Sequence, residues 1–134
     1  MRVRGAAALL CVVLLTACGG DEGSAEELCA AVRSEPSVAT VFRGFDPTDT
    51  DAALGRLREA RVTLGELRDA APAEARDDLT VEIDYVQALI EGLEGVDSGD
   101  PADAVAVVQQ VEQEHPDVTQ AAANLAAFAE SSCG

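Results

Sequence analysis

Two apolar stripes joined across one proline constrain this chain more than any other feature. Ala53, Leu57, Ala60, Leu64, Leu67 and Ala71 advance by three or four residues and fall on one helical face. Ala71-Pro72 then makes a turn, and Pro72 suits the first turn of a new helix, where a missing N–H costs nothing. Leu79, Ile83, Val86, Ile90 and Leu93 repeat the pattern, while Tyr85, Leu89 and Val96 widen it enough to face two neighbours. No stretch alternates with period two over a useful length, and the β-branched run from Val105 to Val111 is diluted by Ala and Gln. The expected fold is therefore all-α. Short connections make successive helices neighbours, which predicts an antiparallel up-down bundle of about four main helices.

Local signals mark the remaining elements. Ser24-Ala25-Glu26-Glu27 reads as a capping box opening a short helix, with Leu28, Cys29 and Val32 on one face and Pro36 as its stop. Val38, Val41, Phe42 and Phe45 form a local apolar cluster, either a short helix or a packed loop. Asp46-Pro47 marks a break, and the stretch from Thr48 to Asp51 caps the first long helix. Gly95 to Gly99 ends the second, and Asp100-Pro101 restarts a helix with Ala104, Val107, Val108 and Val111 inward. His115-Pro116 interrupts or kinks it, and the last segment places Val118, Ala122, Leu125, Phe128, Ala129 and Cys133 on one side. An antiparallel hairpin turning at Pro72 would bring Arg61 and Arg68 near Asp78 and Glu82. Salt bridges are expected there, each worth at most about 1 kcal/mol if exposed.

The first residues address location. Arg2 and Arg4 precede an apolar run from Gly5 to Leu15, followed by small residues, which is the layout of a secretory signal peptide over residues 1–17. The run is shorter than the roughly 20 apolar residues of a membrane span. Leu15-Thr16-Ala17-Cys18 resembles the lipobox of bacterial lipoproteins: Leu, a small or hydroxyl residue, a small residue, then Cys. The resemblance implies cleavage after Ala17 and a diacylglyceryl group on Cys18. Gly19-Gly20-Asp21-Glu22-Gly23 would then be a flexible tether of less than about 20 Å, holding one helical domain, 24–134, close to the membrane. Position 19 is Gly, so the Asp that retains Gram-negative lipoproteins at the inner membrane is absent.

This assignment sorts the four cysteines. Cys11 leaves with the signal, Cys18 takes lipid, and Cys29 and Cys133 remain in an oxidising compartment. Their simplest fate is one disulfide closing a loop of about 105 residues. A redox-active pair or a metal pair lacks support, since there is no C-x-x-C and only one His.

Charge excludes some partners. The nine basic residues are all Arg; seven remain after residue 17, against 25 acids, for a net charge of −18. Residues 77–134 carry 13 acids and no base. Such a surface disfavours nucleic acid and anionic lipid head groups, so membrane contact should come from the acyl chains on Cys18. It also keeps the domain soluble, or meets a basic partner or cation.

Candidate sites are few. Asp46, Asp49 and Asp51 resemble part of an oxygen-ligand cation loop, but Asp51 and Leu57 stand where an EF-hand needs Gly and Glu, so helix capping is the better reading. His115 reads as an exposed kink residue without nucleophile or ligand partners. Glu91, Glu94, Asp97, Asp100 and Asp103 crowd one Gly-spaced turn and read as a solvated run. No G-x-S-x-G, phosphate loop or aromatic cluster for a sugar or quaternary amine is apparent. No catalytic, cofactor or metal residues are assigned.

The part after Cys18 is similar to small helical actinobacterial lipoproteins with one Cys near the start and one at the end. The shared residues are Leu28-Cys29, the Leu-rich helix running into Ala71-Pro72, and Ser132-Cys133-Gly134. The resemblance implies a helical fold and a location, and carries no activity. The expectation is a lipid-anchored lipoprotein on the extracytoplasmic face of the cell membrane. It would be a non-enzymatic binding or accessory module with an envelope protein as partner and no cofactor. The alternative is a small-ligand or cation-binding lipoprotein with a pocket between helices.

Overall fold

The computed structural model describes residues 24–34, 45–97 and 100–134. The expected signal peptide, Cys18, the tether and the apolar cluster from Val38 to Phe42 lie outside these residues, as does the Val32 side chain. The described residues hold five helices and no strand: α1 (Ala25–Ser34), α2 (Thr50–Ala70), α3 (Ala73–Glu94), α4 (Pro101–Glu114) and α5 (Val118–Ser132).

The helix starts follow from the caps. Ser24 Oγ accepts from the Glu27 amide at 3.1 Å while the Glu27 carboxylate accepts from the Ser24 amide at 3.2 Å, a complete capping box. Asp49 Oδ1 takes the Ala52 amide at 3.0 Å ahead of α2, and Asp100 Oδ1 takes the Ala102 amide at 2.9 Å ahead of α4. Proline sets two of the stops. Its ring disfavours helical backbone in the residue before it, so Ala71 is extended at φ −80° and ψ 145°, and Arg76 Nη2 donates to its carbonyl at 3.1 Å. His115, ahead of Pro116, is likewise non-helical at φ −120° and ψ 60°. The His115-Pro116 step therefore separates two helices instead of kinking one, which gives five helices where about four main ones are expected.

The central element is α3, which packs against α2, α4 and α5. Val86, Leu89 and Leu93 on α3, with Leu64 on α2, are the largest fully buried side chains among the described residues. The whole stripe on α2 from Ala53 to Leu67 is buried as the periodicity requires, and Ala71 with it. On α5 the inward face is the expected one at Val118, Leu125, Phe128, Ala129 and Cys133, and differs at Ala122. Starting at Val118, the steps of three and four lead to Ala121, Leu125 and Phe128, which leaves Ala122 in solvent.

The expected ion pairs are not the ones formed. Arg58 meets Glu94 at 2.7 Å and Arg61 donates to the Gln87 side chain, while Arg68 lies 3.6 Å from its neighbour Asp69. Asp78 and Glu82, one helical turn apart, belong to a different face of α3: Asp78 accepts from Asn124 of α5 at 3.0 Å. The pairing failed because the hairpin register alone does not say which face of α3 turns toward α2.

Two contacts hold the periphery. Cys29, buried on α1, is joined to Cys133 after α5 by a disulfide, with Cα atoms 5.4 Å apart and 104 positions between them in sequence. On the other side of α3, a Cβ placed on Gly92 would lie 2.5 Å from Val107 Cγ1. Glycine costs helix propensity at such a position, and here it lets α4 sit close against α3.

Reduction of the disulfide, or Cys133→Ser, is expected to lower unfolding stability by up to about 4.7 kcal/mol, the loop-entropy value for a closure of this length; urea denaturation with and without reductant measures it. Gly92→Ala should cost about 1–3 kcal/mol by overpacking. The same denaturation experiment should show much of that loss recovered when Val107→Ala is added.

Candidate functional site

Because α2 and α4 both pack on α3 without closing on each other, a cleft of about 360 Å³ lies between them. Its floor is the row Tyr85, Leu89 and Leu93, successive turns of α3. Ala53, Arg56 and Leu57 line it from α2, Val108 and Glu112 from α4, and Phe45 from the segment ahead of α2. The cleft is thus apolar at its base, with one cationic and one anionic side chain on facing helices.

The polar groups have distinct environments. Burial, and secondarily the charge of Glu112, pushes the Tyr85 phenol above its ordinary range, so it stays neutral as a hydrogen-bonding group. Asp46, next to Phe45, is held below the usual carboxylate range chiefly by the Thr48 hydroxyl at 2.6 Å and by the Thr48 amide at 2.9 Å. The Arg56 charge adds a smaller pull in the same direction. Arg56 thus lines the cleft from α2 and Glu112 lines it from α4.

Sequence-derived candidates are placed as follows. Cys29 and Cys133 form the expected disulfide, and Cys18 lies outside the described residues. Asp46 binds Thr48 and Asp49 caps α2, so the acidic loop ahead of α2 is occupied with its own backbone. Glu91, Glu94, Asp97, Asp100 and Asp103 are all exposed; Glu94 pairs with Arg58, Glu91 accepts from Gln87 and Asp100 caps α4. His115 departs from expectation: it is half-buried, its ring edge-on to Tyr85 with centroids 6.0 Å apart. Among the described residues, no three His, Cys, Asp or Glu side chains gather as a metal site.

A pocket between helices is part of the alternative reading of the sequence, but the sequence does not say which residues line it. Tyr85 and Leu89 are visible as a widening of the α3 stripe. Phe45 and Tyr85, 40 positions apart, are brought to one cavity only by the packing of α2 on α3. No family model, curated protein or solved structure matches the chain.

One carboxylate outside the cleft is unusual. Glu82 is only 9% exposed, and burial first, then the neighbouring Asp78 charge, raises its carboxyl above the ordinary range. Neither residue lines the cleft. A raised native value means that the folded state holds this proton more tightly than the unfolded chain. Stability from Glu82 is thus present at pH below the ordinary carboxylate range and is lost as pH rises through the raised native value. Glu82→Gln is expected to stabilise the domain at pH 7, on the order of 1 kcal/mol, with the difference from wild type closing near pH ~4; thermal unfolding across pH 4–8 checks both halves of this expectation.

Proposed function

We propose that this chain is a lipid-anchored, extracytoplasmic binding module of the cell envelope, non-enzymatic, with its helices running up and down in an antiparallel bundle. The observation that carries the location is Leu15-Thr16-Ala17-Cys18, placed directly after a basic start and a short apolar run. A disulfide-closed domain beginning a few residues later agrees with an oxidising compartment. No helix among the described residues is long and apolar enough to cross a membrane, so on this reading attachment rests on the acyl chains of Cys18. The envelope partner would be a protein or surface tolerant of a strongly acidic domain.

The cleft between α2 and α4 favours a second reading, a lipoprotein that binds a small ligand. Its size suits a small organic molecule, and the apolar base with few polar side chains is the usual make-up of a ligand site.

Labelling of cells with an alkyne fatty acid tests the anchor. Wild-type chain should acquire the label and yield a mature N-terminus at Cys18. Cys18→Ala should lose the label, while Cys11→Ala should retain it. An unlabelled wild-type chain would remove the proposed attachment.

A further inference from the structure

We infer that the cleft between α2, α3 and α4 binds a small amphipathic cation, an apolar body carrying a protonated amine. The argument begins with shape: Leu57, Leu89 and Leu93 provide an apolar base in a space of about 360 Å³, enough for a molecule of one aromatic ring and a short chain. Charge selects the head group. Arg56 lines the cleft from α2, and its charge also acts on Asp46, next to Phe45. On α4, Glu112 lines the cleft with a carboxylate, and the phenol of Tyr85 lies within its electrostatic reach. Residues 77–134, which supply the floor and the α4 wall, contain 13 acids and no base, and that field draws cations and repels anions. Tyr85 and Phe45 line the same cavity, and an aromatic ring is a favourable neighbour for an ammonium group. In this arrangement the amine meets Glu112 at the mouth while the apolar body lies over Leu89 and Leu93.

This inference deepens the small-ligand reading and is independent of the lipid on Cys18. The test titrates the full chain with 4-phenylbutylamine, 4-phenylbutanol and 4-phenylbutyrate by calorimetry. These probes share one apolar body and differ in head group. The amine should bind best and the carboxylate worst. Glu112→Gln should weaken the amine roughly tenfold, the worth of one charge-assisted contact, with little effect on the alcohol. Val108→Trp, on the half-buried rim, should block all three, and Glu114→Gln, outside the cleft on the same helix, should change nothing. Equal binding of the three probes, binding by none, or equal losses in Glu112→Gln and Glu114→Gln would each overturn the inference. Because labelling at Cys18 is read separately, failure of the anchor and failure of the ligand site are distinguishable.

Discussion

Burial of α3 on several sides is the interaction on which everything else in this domain rests. Full burial of a Val or Leu side chain is worth about 1.5–3 kcal/mol, and three of the four largest fully buried side chains, Val86, Leu89 and Leu93, belong to this one helix. The outer helices have little of their own to hold them. Ala104 and Val111 are the buried residues of α4, and Ala121 is that of α5. Each is stable through contact with α3, as expected for helices too short and too weakly apolar to persist alone. The chain has no Trp and few other aromatics, so small side chains and close approach replace bulk; the Gly92 contact with Val107 is the plainest case.

The cleft follows from the same economy. α4 sits close against α3 at Gly92, and the Tyr85–Leu89–Leu93 row forms a floor between α2 and α4. Charge is unevenly spread around the space: Arg56 and Glu112 line it from α2 and α4, and residues 77–134 carry 13 acids and no base.

Much of this was legible in the residues because the signals were local. Caps at Ser24, Asp49 and Asp100 act within three residues, proline acts on its immediate neighbour, and a stripe of Leu and Ala reports its own buried face. The disulfide was legible for another reason, since sorting the cysteines by position left two without another assignment. What could not be read was anything set by helix rotation. Asp78 meets Asn124 of α5 and not the arginines of α2, Glu82 is buried, and Ala121, not Ala122, turned inward. A hundred-degree step per residue makes a one-residue error in phase exchange a core position for a surface one. His115 and the cleft share that origin: both depend on where α4 ends and how far it stands from α2.

The bond between Cys29 and Cys133 also changes how this domain would respond to tension and to cutting. A pull applied between the segment ahead of Cys29 and the residue after Cys133 runs through sulfur and leaves the enclosed helices unloaded. A single proteolytic nick anywhere inside the ring leaves both pieces covalently joined, so α3 can keep its neighbours in place. The bridge thus works as a strain relief for the helices it encloses.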